Sequence, residues 1–374
     1  MYSRYNLLIT LLLLFVFGNQ AIAQHPETLK TGSAAPDFNL KGIDGKNYTL
    51  KSFAANPILA IVFSCNHCPT AQAYEERIKK LASDFKTQKV GLVVISSNDP
   101  NAIRLDELGY TDLSDTYEEM KIRAKDLNFN FPYLYDGDTQ KTALAYGPVA
   151  TPHIFIFDKE RKLQYNGRID DVEKPTKTPN NSDARKAIEE LLAGKPVTNP
   201  TTKTFGCSMK WMDKEQGVEK EKAAWAKELV TLETIDDAGL KELIANKSDK
   251  LRLINVWATW CGPCVTEFPD FMQMQHMYRG RDFEFVSISA DSPDKKDKAL
   301  KFLRGKFASN KNYIFNVDDK YKLIEAVDPK WQGALPYTLL VEPGGKIVYA
   351  GQGPINPHKI KKLIVENKYV GRYY

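Results

Sequence analysis

Cysteine and histidine are scarce here, with five of each in 374 residues. Cys65 and Cys68, Cys207, and Cys261 and Cys264 form two Cys-X-X-Cys pairs and one odd thiol. That spacing excludes the framework of a disulfide-stapled scaffold and points to reactive pairs. Charge of one sign is also missing. A formal net charge of +5, from 52 basic and 47 acidic residues, is too weak and too mixed for a nucleic-acid surface. Long apolar runs are wanting as well: Leu7 to Phe17 reaches only about half of the ~20 apolar residues a spanning helix needs. Behind Arg4 and ahead of Ala21-Ile22-Ala23, that run reads instead as a secretory signal peptide over residues 1–23, cut before Gln24. An uncleaved membrane anchor is the rival reading. The expected mature chain is periplasmic and has no membrane span.

At 374 residues the chain exceeds the usual size of one domain, so two modules are expected. The most informative stretch is Leu251 to Met272. Leu253, Ile254, Val256 and Trp257 suit a strand buried on both faces, and a helical pattern follows Cys264. A Cys-X-X-Cys on that seam puts Cys261 near the helix's first free N–H groups, which favour thiolate over thiol, with Cys264 one turn on. A structural disulfide or half a zinc site are the bland alternatives; no second ligand pair follows nearby.

The same order occurs earlier. Residues 24–34 read as a flexible leader, and Asn47 to Leu50 as a strand after the Asp44-Gly45 turn. Ile58 to Phe63 is a buried strand ending at Ser64-Cys65-Asn66-His67-Cys68-Pro69, followed by a helix over Thr70 to Lys86 and a strand over Val90 to Ile95. After the second pair, Phe283 to Ile288 is again a strand. Each half continues with a helix, near 114–127 and 295–307, and a short strand, at 133–135 and 313–315. Each then reaches an X-Pro opening a strand, at Thr151-Pro152 and Leu335-Pro336. Asp183 to Leu192 and Pro357 to Glu366 read as closing helices, and Asp213 to Lys227 as a solvated linker. The expected division is a first domain over 35–212, a linker over 213–228 and a second domain over 229–374.

Trp260-Cys261-Gly262-Pro263-Cys264 is the thioredoxin active-site sequence, and with Glu267 and Pro269 behind it the second half resembles exported thiol-disulfide oxidoreductases of the TlpA/ResA type. The first half, with its Ala-Pro-Asp-Phe opening, Thr-Pro strand and late Gly206-Cys207-Ser208-Met209-Lys210-Trp211, resembles the AhpC/TSA-related, peroxiredoxin-like proteins that carry a CXXC. The resemblance implies an α/β architecture of two tandem thioredoxin-like folds, each a central mixed sheet flanked by helices. It also implies cis-prolines at Pro152 and Pro336 facing the cysteine pairs, a trans proline being the alternative. Asn255 stands where thioredoxin has a buried Asp, so proton handling would pass to Glu267.

The implied activity is exchange or reduction of protein disulfides, without a cofactor, on disulfide-bearing clients and with a membrane thiol-reducing partner. Alternatively the first half is a metal- or polypeptide-binding module, or a thiol peroxidase; its cysteines lack the threonine, proline and arginine that activate a peroxidatic thiol. His67 is expected to stabilise a Cys65 thiolate and make the first disulfide the more oxidising one. His67 and His153 with Cys65 and Cys68 form a metal candidate, a satisfied strand histidine being the alternative. Cys207 reads as a relay to the first pair, an inert thiol, or a thiol pairing between molecules. His25, His276 and His358 read as surface residues, and Arg168, Asp170 and Asp171 as a surface ion-pair cluster.

Overall fold

The computed structural model describes residues 26–174 and 176–374; the expected signal peptide and His25 lie outside the described residues. Nine strands belong to the first half among the described residues: β1 (Asn39–Gly42), β2 (Asn47–Thr49), β3 (Ile58–Ser64), β4 (Val90–Ser96), β5 (Tyr133–Tyr135), β6 (Ala150–Thr151), β7 (His153–Phe157), β8 (Leu163–Gly167) and β9 (Cys207–Ser208). Its helices are α1 (Pro69–Asp84), α2 (Tyr117–Asp126), α3 (Lys141–Tyr146) and α4 (Asp183–Leu192). After the connecting α5 (Glu215–Trp225), the second half has β10 (Glu233–Ile235), α6 (Asp237–Ala245), β11 (Leu251–Trp257), α7 (Gly262–Tyr278), β12 (Phe283–Ser289), α8 (Lys296–Gly305), β13 (Lys311–Phe315), α9 (Lys320–Val327), β14 (Tyr337–Val341), β15 (Ile347–Gln352) and α10 (Pro357–Glu366).

The two sheets share a five-stranded centre. In the first, β5-β4-β3-β7-β8 stand side by side; in the second, β13-β12-β11-β14-β15. The first three strands of each set run parallel, and the last two pair antiparallel. The duplication is therefore a duplication of topology. The sheets differ at one edge, where the first adds the β1–β2 hairpin and the second adds the parallel β10.

Both central strands, β3 and β11, are buried along their whole length because helices cover both sheet faces. On one face of the first sheet, Val62, Val94 and Ile154 pack on Tyr74 and Ile78 of α1 and Ile188 of α4. On the other, Phe63 and Phe155 pack with Tyr146 of α3 and with Met209 and Trp211. In the second sheet Phe268, Phe271, Ile360 and Ile364 cover one face, and Leu240, Leu323 and Trp331 the other. Each nearly fully buried Phe or Leu contributes about 1.5–3 kcal/mol, so removing one from either central layer costs a large part of a marginal fold.

Several expectations need correction. Residues 29–35 are pinned, not loose: Leu29 N–H donates to Tyr146 O, Gly32 N–H to Leu163 O and Ala35 N–H to Arg161 O. The 213–228 stretch is mostly exposed, but Val218 is buried and Trp225 stacks on His276 at 3.8 Å. His276 is thus a buried residue, and His358 sits half-buried 3.8 Å from Asp112. Arg168 pairs with Asp183, whereas Asp170 is buried against Arg77 and Tyr74.

The halves are packed on each other. Ile103 and Leu108 join the cluster of Met274, Met277 and Tyr278. Tyr278 Oη donates to Thr111 O at 2.8 Å, Arg281 donates to Gly109 O, and Arg372 pairs with Asp112.

Candidate active sites

In the second half β11 delivers the chain to the mouth of the sheet, where Asp291 fixes the loop by accepting from Thr259 N–H and Oγ1 at 2.9 and 2.7 Å. Cys261 caps α7 and accepts from Cys264 N–H, and the two cysteines form a disulfide with Cα atoms 5.3 Å apart. Trp260 stands 60% exposed beside them, with Lys320 over its ring.

Glu267, one turn beyond Cys264, is buried. Its carboxyl accepts from Ile355 N–H at 2.9 Å and from Asn255 Nδ2 at 3.3 Å, and Asn255 also donates to Thr338 Oγ1. Burial outweighs both hydrogen bonds and pushes this carboxyl up to about 7. Asn255 thus links the α7 carboxyl to the strand that follows Pro336, and the Leu335–Pro336 bond is cis.

The first cysteine pair is placed differently. The second half has proline between its cysteines, so α7 begins at Gly262, just after Cys261. In the first half Pro69 follows both cysteines and takes the first helical position, for which its fixed φ and missing N–H suit it. The helix cap is therefore Cys68, which accepts from Ala71 N–H, and Cys65 lies in the preceding turn. The helix dipole acts on Cys68. The expected Cys65 thiolate is corrected on this ground. Burial, the Cys68 hydrogen bond and the Asp115 charge push the Cys65 thiol well up. Burial would also raise Cys68, but hydrogen bonds from Cys207 and Cys65, the His67 charge and Ala71 N–H hold it well below the ordinary thiol range.

Asp115 organises this site and was not foreseen. Its Oδ1 accepts from Asn66 and His67 N–H at 2.8 and 3.0 Å, and its Oδ2 from His67 Nδ1 at 2.6 Å and Asn98 Nδ2 at 2.8 Å. Burial opposes charge on both groups, yet their mutual attraction prevails: His67 is raised and Asp115 lowered from their ordinary values. Ser114-Asp115-Thr116 offers three helix-capping residues in a row; Thr116 takes the cap of α2, which leaves Asp115 free to face His67.

The cis Thr151–Pro152 bond lies beside the first pair, with Cys65 Sγ 3.3 Å from Thr151 Oγ1 and Cys68 Sγ 3.4 Å from Thr151 O. Cys207 N–H donates to Cys68 Sγ at 3.4 Å, and the Cys207 residue packs against the first pair. His153 does not belong to the metal-ligating set. Its Nδ1 accepts from Val149 N–H, its ring lies over Phe155, and burial lowers it to about 3. Among the described residues, the donor atoms that gather within 4.8 Å are those of Cys65, His67 and Asp115. Both oxygens of Asp115 are already engaged by the hydrogen bonds above.

Residues 31–166 match the AhpC/TSA family and residues 231–366 match the Redoxin family. The thiol:disulfide interchange protein CycY of Rhizobium leguminosarum bv. viciae is 31% identical over 157 residues, covering 40% of this chain and 70% of that protein. The thiol-disulfide oxidoreductase ResA of Bacillus anthracis is 27% identical over 130 residues, 35% of this chain and 70% of that one. A solved hypothetical protein of Sinorhizobium meliloti 1021 is 34% identical, with a TM-score of 0.45, over 50% of this chain and 97% of its own. The chain belongs to the thiol-disulfide oxidoreductases of thioredoxin-like fold, with an AhpC/TSA segment ahead of a Redoxin segment.

Proposed function

We propose that this chain is an exported, periplasmic oxidoreductase that reduces or exchanges disulfides of client proteins chiefly through Cys261 and Cys264. In the reduced site the Cys261 thiolate, at the positive end of α7, attacks a client disulfide and releases one client thiol. Cys264 then attacks Cys261 Sγ, releases the second client thiol and leaves the Cys261–Cys264 disulfide. Glu267 accepts the Cys264 proton during that second step, and Pro336 shapes the groove that receives the client. The observation that carries this reading is the Glu267 carboxyl, held near neutral pH and fixed by Ile355 and Asn255 one turn from Cys264.

An oxidising compartment implies a reducing partner, and a membrane thiol-reducing system fits an exported chain. Cys65 and Cys68, opposite Pro152, form a second exchange site. Stabilising the Cys68 thiolate favours the reduced pair, so the first disulfide is the more oxidising and electrons run toward it from Cys261 and Cys264. A gap of about 60 mV would bias that transfer by about 2.8 kcal/mol.

Reduction of insulin disulfides by dithiothreitol, followed by turbidity, tests the main site. The wild-type chain accelerates the reaction and Cys261→Ser removes the acceleration. An unchanged rate in a Cys261→Ser/Cys264→Ser chain would sink the proposal.

A further inference from the structure

The two cysteine pairs differ in what covers them. Gly206, Cys207 and Ser208 run past the first pair, and β9 pairs antiparallel with β6, setting Thr151 opposite Cys207 directly ahead of Pro152. The corresponding residues ahead of Pro336 have no such paired strand among the described residues; Ala334 is exposed and Leu335 half-buried. The first half thus keeps a cysteine-bearing strand of its own against its pair.

This placement is built into the backbone. Gly206 has φ +127°, and a Cβ there would lie 2.1 Å from Thr151 O. Only glycine lets the segment lie this close. Cys207 then presents its N–H to Cys68 Sγ at 3.4 Å, while its carbonyl accepts from Thr151 Oγ1 at 3.5 Å.

Cys65 and Cys68 are 3% and 0% exposed, whereas Cys207 is half-buried. Cys207 lines a cavity of about 460 Å3 with His67, Lys210, Tyr110, Tyr373 and Tyr374. Cys68 is the middle thiol: Cys65 and Cys207 each share a hydrogen bond with it. The three cysteines pack in one cluster, and Cys207 is the one that borders the cavity.

We propose that Cys207 is the gateway thiol of the first site, through which low-molecular-weight or protein disulfides exchange with the buried Cys65–Cys68 pair. The proposal rests on the reading of that pair as an exchange site. In the oxidising direction Cys207 passes its proton to the Cys68 thiolate with which it shares a hydrogen bond and attacks a disulfide RSSR′, forming Cys207–S–S–R; the departing R′S⁻ takes that proton and leaves as R′SH, which restores the Cys68 thiolate. The Cys68 thiolate then attacks Cys207 Sγ, forming the Cys68–Cys207 disulfide and expelling RS⁻. Finally the Cys65 thiol attacks Cys68 Sγ, giving the Cys65–Cys68 disulfide and returning its proton to Cys207. One disulfide is reduced to two thiols, and one protein dithiol is oxidised.

The test exposes the full, prereduced chain to oxidised glutathione, quenches with acid, alkylates and maps each cysteine by mass spectrometry. Glutathione accumulates on Cys207 in the Cys68→Ser chain, and the Cys68–Cys207 disulfide accumulates in the Cys65→Ser chain. In Cys207→Ser, shown folded by circular dichroism, the Cys65–Cys68 disulfide forms about tenfold more slowly or less. Gly206→Ala keeps the thiol but displaces it, and slows the same step. Formation of Cys65–Cys68 at the wild-type rate in Cys207→Ser would overturn the gateway and leave the exchange site standing. If the wild-type chain forms neither disulfide while Cys261–Cys264 cycles, the exchange reading of the first pair fails, and the gateway with it.

Discussion

Glu267 gives the sharpest prediction. Its carboxyl is buried on α7 one turn beyond Cys264 and is pushed up to about 7. With that value roughly one carboxyl in ten is ionised at pH 6 and nine in ten at pH 8. A resolving step that needs the carboxylate as proton acceptor therefore speeds up about ninefold between those pH values. Glu267→Gln keeps the shape and the hydrogen bond from Ile355 but cannot take a proton. It flattens the limb and lowers the rate by about 10² or more. Single-turnover reduction of a disulfide peptide, followed by Trp260 fluorescence, provides the assay.

The same group sets a stability signature. Its folded value lies above the ordinary 4.5, so its favourable contribution is fully present below pH 4.5 and is lost as pH rises through 7. The shift gives a ceiling of about 3 kcal/mol, which partial contact with water reduces to the order of 1–2 kcal/mol. Glu267→Gln is expected to melt above wild type at pH 8 and level with it near pH 4. A rate limb near pH 7 that persists in Glu267→Gln would refute the assignment.

Other expectations follow from the first half and the interface. Asp115→Asn removes the charge that raises His67; the pH midpoint of Cys68 alkylation by iodoacetamide rises, and breaking the buried pair costs about 3–5 kcal/mol by urea unfolding. Tyr278→Phe deletes the hydrogen bond to Thr111 and costs about 1 kcal/mol by the same measurement. Replacing Tyr373 and Tyr374 by Ala opens the cavity around Cys207, so alkylation of Cys207 accelerates; an unchanged rate would show that the tail does not shield it.

The strongly periodic elements were legible in the sequence. Asp183–Leu192, Pro357–Glu366 and Tyr133–Tyr135 fold over the residues expected, and both X-Pro bonds ahead of the returning strands are cis. Other elements were hidden for physical reasons. Leu163–Gly167 alternates apolar and polar residues with the period of a strand, but over only five residues ending in glycine the pattern is too short to stand out, and pairing with β7 fixes it. The position of Pro69 after both cysteines was visible but unused, and it decides which thiol meets the helix dipole. Asp115 could not be found by spacing, because it stands 48 residues from its partner His67 and meets it only through the fold. His153 failed as a ligand for the converse reason: its strand turns it toward Val149 and Phe155.

The packed seam between the halves bears on how the molecule can be taken apart. Met274, Met277 and Tyr278 on one side and Ile103 and Leu108 on the other form one continuous apolar layer. A fragment carrying the second half alone would present that methionine and tyrosine surface to water, and would associate or precipitate more readily than the intact chain. A fragment carrying the first half alone would lose Tyr373 and Tyr374 from the rim of the Cys207 cavity. Thiol reactivity measured on separated halves would thus describe a more open first site than the one the whole chain possesses.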